Sequence, residues 1–252
     1  MRVARSIFIT GASAGIGEAL ALEFARRGYE VAIAARRLDR LQELAGRLTA
    51  AGAARVLPMA LDVADYAAVG SAVEQVAREF GRLEIVVANA GVGVLTPVGK
   101  GRFETERQTI EVNLLGAIAT IEAAVPIMRR QKSGQLVGIT SMAGWRGLAG
   151  FGAYSASKGG LHRYLQSLRT EVANDGIAVT ELSPGFIDTD MNRTLGQRPF
   201  LIDVRKGAAL MAAMIERRVG YRTVPVWPWS LIGPLLKVLP ASLFVPRARP
   251  PR

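Results

Sequence analysis

Cysteine is absent from this 252-residue chain, which excludes disulfides and thiolate chemistry. That fits a reducing compartment, and the cytoplasm is the expected location. Histidine occurs once, at His162, and no metal-ligand spacing accompanies it. No metal is therefore expected, and His162 reads as a structural residue. Aromatic residues make up 6% of the chain, and no stripe interleaves them with basic residues, so no nucleic acid partner is expected. No run reaches the roughly 18 apolar residues of a bilayer span, so no spanning helix is expected. The opening Met1-Arg2-Val3-Ala4-Arg5 leads into only four residues, Ser6-Ile7-Phe8-Ile9, before a glycine loop, too few for a secretory leader. Acidic residues are scarce beside basic ones, 21 against 32, and the net charge of +11 suits an anionic cofactor or acidic lipid headgroups. Half the residues are apolar, enough for one large α/β core at this length.

Short β-branched runs alternate with longer helical patterns, the mark of βαβ units. Strands are predicted at 6–10, 30–35, 55–61, 83–88, 134–140, 177–182 and 221–226. Helices are predicted at 15–28, 38–51, 65–80, 103–131 with a short break near its start, 152–175 and 204–218. Right-handed crossovers then give a Rossmann-type, doubly wound parallel sheet of about seven strands with helices on both faces, as a single domain. Residues 188–203 are polar, contain Pro and Gly and lack periodicity, so they read as a mobile segment. With the helix after them they form a lid of about 188–218. Residues 1–226 are the expected cofactor-binding and catalytic domain, and 227–252 an apolar and basic extension.

The loop Thr10-Gly11-Ala12-Ser13-Ala14-Gly15-Ile16-Gly17 joins the first strand to the first helix, the context a phosphate cradle needs. Gly11 permits a tight turn, Gly15 lets backbone approach a pyrophosphate, and Gly17 permits close helix–strand packing. The helix N-terminus supplies amide donors and the positive end of its dipole. The second strand ends Ala34-Ala35-Arg36-Arg37, where an NAD enzyme would carry an acidic residue for the ribose hydroxyls. Forked guanidinium donors suit a 2′-phosphate, so NADP(H) is expected over NAD(H).

Tyr154 and Lys158 lie four residues apart in Tyr154-Ser155-Ala156-Ser157-Lys158 and share a helix face. An ammonium beside a phenol is expected to draw its pKa down from about 10, toward use in proton transfer. With this pair and the glycine loop stand Leu61-Asp62-Val63, Asn89-Ala90-Gly91, Asn113, Ser141, and Pro184-Gly185 followed by Thr189. From residue 6 to about 226 the chain resembles the short-chain dehydrogenase/reductase family, whose motifs these are. One departure is Ala88, where the family often has another asparagine.

The resemblance implies an oxidoreductase interconverting a carbonyl and a secondary alcohol. Gly11, Ser13, Gly15, Ile16 and Gly17 would cradle the dinucleotide. Asp62 and Val63 would hold the adenine, and Asn89, Ala90 and Gly91 would line its ribose. Pro184, Gly185, Ile187 and Thr189 would meet the nicotinamide. Ser141 would bond the carbonyl oxygen and Tyr154 would exchange a proton with it. Lys158 would lower the tyrosine pKa and hold the nicotinamide ribose, and Asn113 would anchor a water linking Lys158 to solvent. The family often assembles through helices here at 106–130 and 152–175, so a homo-oligomer is expected.

Trp145, Leu148, Phe151, Phe186, Met191, Met211 and Met214 are candidates for an apolar substrate pocket, or else core residues. A lipid-like, steroid-like or aromatic carbonyl would suit them. Residues 227–240, Trp-Pro-Trp-Ser-Leu-Ile-Gly-Pro-Leu-Leu-Lys-Val-Leu-Pro, followed by the basic Arg247-Ala248-Arg249-Pro250-Pro251-Arg252, suit peripheral contact with an anionic membrane. Packing on the domain or on a second subunit is the alternative. Two other functional classes remain open at this level: a sensor that binds NADP(H) without turnover, and a membrane-associated scaffold.

Overall fold

Ile7, Phe8 and Ile9 fill the middle of Ser6–Thr10, and all five positions are buried, as befits a central strand covered on both faces. In the structure, a computed structural model that describes residues 4–193 and 195–240, this strand is β1. Six others follow: β2 Glu30–Ala35, β3 Arg55–Ala60, β4 Ile85–Ala88, β5 Gly134–Ile139, β6 Ile177–Pro184 and β7 Tyr221–Val224. They form one parallel sheet in the order β3-β2-β1-β4-β5-β6-β7. The helices are α1 Gly15–Arg26, α2 Leu38–Ala51, α3 Tyr66–Phe80, α4 Phe103–Ile110, α5 Gly116–Gln131, α6 Gly152–Glu171, α7 Val204–Glu216 and α8 Trp229–Val238. Side chains alternate across β1: Phe8 joins the core with Val86 and Leu136, while Ile7 and Ile9 join the opposite one with Ile85 and Val87. Helices α1, α2 and α7 cover one face, and α3, α5 and α6 the other.

The strand order reverses beside β1, where β2 pairs on one side and β4 on the other. In a doubly wound sheet this opens a crevice at the C-terminal strand ends. The loops after β1, β2, β4, β5 and β6 all reach it.

The predicted break in the 103–131 helix is a π-helical turn, Glu111–Leu115, between α4 and α5. The whole run Phe103–Gln131 is long and apolar enough to cross a bilayer by length and composition. Its Ile121, Ala124 and Met128 are instead fully buried in the core, and α5 packs on α3, β4 and β5. It is a core helix.

Residues 188–203 are irregular, as expected, but tied down. Asp188 N–H donates to Ile202 O at 2.9 Å, and Ile202 N–H to Phe186 O at 3.1 Å. Arg198 bonds Asp188 at 2.7 Å, and a 3-10 turn spans Asp190–Asn192. These backbone ties were invisible to a reading by periodicity. Helix α8 was likewise not anticipated, because its prolines mask the helical spacing. The basic tail 247–252 lies outside the described residues.

Candidate active site

The glycine loop folds back on the end of β4. Thr10 Oγ1 accepts from the amides of Asn89 at 3.1 Å and Ala90 at 3.2 Å. Asn89 returns the tie, its Nδ2 donating to Thr10 O at 2.8 Å and Gly11 O at 3.3 Å. Gly11 has φ +68°, and a Cβ there would stand 2.6 Å from Ala90 Cα. Only glycine fits both the left-handed backbone and that close approach. Asn89 therefore spends its side-chain amide on holding the loop shut as well as bordering the cavity.

A cavity of about 350 Å³ opens over this loop. Its lining includes Gly11, Ser13, Gly15, Ile16, Gly17, Arg36, Arg37, Asp62, Val63, Asn89, Ala90, Gly91, Ser141, Tyr154, Lys158, Pro184, Gly185, Ile187 and Thr189. Asn113 is fully buried beneath it. Thr140 and Asn192 also border it and carry no motif of their own, and Met191, expected at the substrate pocket, reaches this cavity too. Arg37 donates to Ser13 Oγ at 3.0 Å, so the second strand's end meets the glycine loop. Arg36 lies 4.0 Å from Asp62 and is more than half exposed, which leaves the pair weakly coupled. The cradle, its helix N-terminus and its two arginines fit an anionic dinucleotide.

Ser141 ends the β5 loop and caps a 3-10 turn, Met142–Gly144, accepting from Ala143 N–H at 3.1 Å. Its hydroxyl and the Tyr154 phenol, from the first turns of α6, both line the cavity, close enough for Ser141 to act on the phenol's titration. Tyr154 itself is half-buried. Burial pushes the phenol up, and the Ser141 hydrogen bond opposes that shift. Lys158 is buried, donates to Ile139 O at 2.9 Å, and is pushed down to about 8 by desolvation. The expected acidification of Tyr154 by Lys158 is thus not found, since burial raises the phenol instead. The two do share a helix face, but loss of solvent dominates at the phenol, and the Lys158 ammonium is engaged by a carbonyl of β5.

Asn113 sits in the π-turn with its amide fully used. Its Oδ1 accepts from Val92 N–H at 2.7 Å, and its Nδ2 donates to Val92 O at 2.9 Å and Ser157 Oγ at 3.2 Å. It braces the β4 loop against α6. His162 stands apart from the cavity, its Nδ1 2.7 Å from the buried carboxylate of Glu181.

A second cavity, about 380 Å³, adjoins the first and shares Ser141, Tyr154, Pro184, Gly185, Met191 and Asn192 with it. Leu148, Phe151, Phe186 and Met191 line it as expected, joined by Phe200, Trp229 and Ile232. Three expected members do not. Trp145 packs instead between His162 and Tyr221, with ring centroids 6.0 and 5.6 Å away. Met211 is fully buried in the core, and Met214 packs against that core. Helical spacing alone could not tell these core-facing positions from cavity-facing ones.

The chain belongs to the short-chain dehydrogenase family, which it matches over residues 5–199. It is an oxidoreductase of that family, with the nicotinamide-dinucleotide fold and a small-molecule substrate. It is 42% identical over 248 residues to an uncharacterized oxidoreductase of Myxococcus xanthus, covering 97% of this chain and 96% of that protein. An uncharacterized oxidoreductase of Mycobacterium tuberculosis is 38% identical over 241 residues, covering 95% of each. Among solved structures, an alcohol dehydrogenase from the archaeon Thermococcus sibiricus, complexed with 5-hydroxy-NADP, superposes with a TM-score of 0.79 at 30% identity. That superposition covers 87% of this chain and 95% of the other. A short-chain type dehydrogenase/reductase from Mycobacterium marinum gives a TM-score of 0.76 at 27% identity, over 84% and 91% of the two chains.

Proposed function

We propose that this chain is an NADPH-dependent reductase of an apolar, lipid-like ketone or aldehyde, reversible as a dehydrogenase of the matching alcohol. The observation that carries the reading is the meeting of Ser141 and Tyr154, with Lys158 behind them, where a polar cavity and an apolar one share a wall. When bound, the reduced dinucleotide supplies a hydride to the carbonyl carbon. Ser141 and Tyr154 hold the carbonyl oxygen, where negative charge develops. Tyr154 passes its hydroxyl proton to that oxygen, so one C–H and one O–H bond form as the carbonyl π bond opens. The phenolate left behind is stabilised by Lys158, which also holds the nicotinamide ribose, and Asn113 supports the water route that returns a proton from solvent.

Arg36 and Arg37 hold the 2′-phosphate in this reading, and the archaeal relative's NADP analogue supports that preference. Gly11, Ser13, Gly15, Ile16 and Gly17 cradle the pyrophosphate. Asp62 and Val63 take the adenine, and Asn89, Ala90 and Gly91 its ribose. Pro184, Gly185, Ile187 and Thr189 face the nicotinamide. Residues 1–226 carry cofactor and catalysis with 188–218 as a cover, and 227–252 form an extension whose helix α8 borders the substrate. The chain works in the cytoplasm as a homo-oligomer joined through α4–α5 and α6, with 227–240 against a membrane surface. Phe103 and Leu115, both exposed on the first of these helical runs, favour that assembly.

The test is NADPH oxidation across a panel of carbonyl compounds, with Tyr154→Phe as control. We expect turnover by the wild type and a loss of about 10²–10⁴-fold in the variant. Tight NADPH binding with no turnover on any carbonyl would leave the sensor reading in its place.

A further inference from the structure

Helix α8 has two unlike faces. Its inner face closes on the active site. Trp229 is 6% exposed and lies so close over Gly185 that a Cβ at that position would meet its indole at 2.2 Å. Ile232 lines the apolar cavity beside it. Gly233 presses on Trp145 and Met142, where an added Cβ would stand 3.0 and 3.1 Å from them. The helix's C-terminal end is fixed as well, because Arg146 donates to Leu239 O.

Among the described residues, nothing covers the outer face. Leu231, Leu235 and Val238 follow one another at spacings of four and three, which puts them on one side of the helix, and Trp227 stands just before its first turn. Trp227, Leu231, Leu235 and Val238 are 70%, 63%, 51% and 77% exposed. Phe200, 53% exposed, continues this apolar rim at the cavity's mouth, with its ring edge-on to Trp229 at 5.7 Å.

Charge selects the occupant. No Asp or Glu follows Glu216, whereas Arg217, Arg218, Arg222, Lys237, Arg247, Arg249 and Arg252 do. An apolar stripe led by a tryptophan, set in a wholly basic segment, complements an anionic lipid surface. A second copy of this chain would bring the same positive charge to the contact and be repelled.

We infer that α8 docks on an anionic bilayer through its outer face while its inner face roofs the substrate cavity, so that the substrate is a lipid-borne carbonyl compound drawn in from that bilayer past Phe200 and Met191. The substrate half of this inference rests on the reductase reading above; the docking half does not. Membrane insertion of Leu231 and Leu235 places the cavity's mouth at the depth where such a compound is dissolved. An apolar molecule can then pass between two apolar environments without crossing water.

The experiment uses the full chain and two kinds of vesicle, phosphatidylcholine alone and phosphatidylcholine mixed with phosphatidylglycerol. The wild type is expected to sediment with the mixed vesicles, to lose that binding in high salt, and to leave pure phosphatidylcholine largely unbound. Leu231→Ser/Leu235→Ser is expected to weaken the binding at least tenfold. Mixed vesicles should raise kcat/KM several-fold for a long-chain ketone dissolved in them, in the wild type alone. Reduction of a short, water-soluble ketone should agree within twofold between the two proteins, since neither leucine lines the cavity. Failure of the wild type to bind mixed vesicles, or equal binding by the variant, overturns the inference. So does a wild-type dimer that the variant converts to monomer without any vesicle effect. If no ketone of either kind is reduced in solution, the reductase reading fails with the substrate half, and sedimentation still decides the docking surface.

Discussion

Lys158 carries a displaced charge equilibrium in the site, because its amine is buried and pushed down to about 8 from 10.5. Between those values the unfolded chain binds a proton that the folded chain does not, so stability must rise with pH through that window. The rise is limited to roughly 3 kcal/mol by the size of the shift. It is opposed above pH 10 by Tyr29 and Tyr221, whose phenols are pushed up to about 12 by burial. Urea unfolding of the cofactor-free protein at pH 7.5 and about 9.5 should therefore show a gain in the wild type, and Lys158→Met should lack it. The identity of these residues was legible in the sequence, since a tyrosine and a lysine four apart, with Ser141 upstream, form a recognisable set. Their protonation was not. Spacing puts charges on one face, but desolvation depends on what packs around them, and here it dominates.

Among the elements, the 3-10 turn after β5 and helix α6 must touch closely for Ser141 to reach Tyr154. The contact is made by backbone: a Cβ on Gly144 would lie 2.8 Å from the carbonyl carbon of Lys158 and 2.9 Å from the amide of Gly159. Backbone cannot swing aside as a side chain can. Gly144→Val should therefore cost about 1–3 kcal/mol in unfolding free energy. It should also lower turnover well beyond what the stability loss explains, with NADPH affinity changed less, because Gly144 lies outside the dinucleotide's lining. Strands, helices and their order were legible at this scale because buried parallel strands read as short apolar runs between amphipathic helices. The break in the 103–131 helix was legible as a break only. Its π-turn is held by Asn113 bonding the backbone of Val92, a contact made by a residue 21 positions away. Helix α8 escaped notice for another reason: nothing local reveals that Trp229 finds its place on Gly185.

At the scale of the whole molecule, basic residues are spread widely, and two of them stand where an anion is to be held. Arg36 and Arg37 stand at one rim of the crevice, joined to the glycine loop through the Arg37–Ser13 bond. Reversing one of them should be felt by a phosphomonoester far more than by a diol. Arg36→Asp is expected to weaken NADPH binding by about tenfold or more, in line with losing a charge-assisted bond of roughly 1.5–3 kcal/mol and adding repulsion. NADH binding should hold or improve, and isothermal titration with both dinucleotides checks the difference. Equal losses for the two would assign Arg36 to general attraction instead of recognition.

The two cavities meet over a narrow common wall and otherwise have separate linings. A compact inhibitor built to occupy only the apolar chamber would compete with the carbonyl while leaving the dinucleotide seated. Its selectivity would come from Phe200, Trp229 and Ile232, outside the signature motifs the chain holds in common with its family.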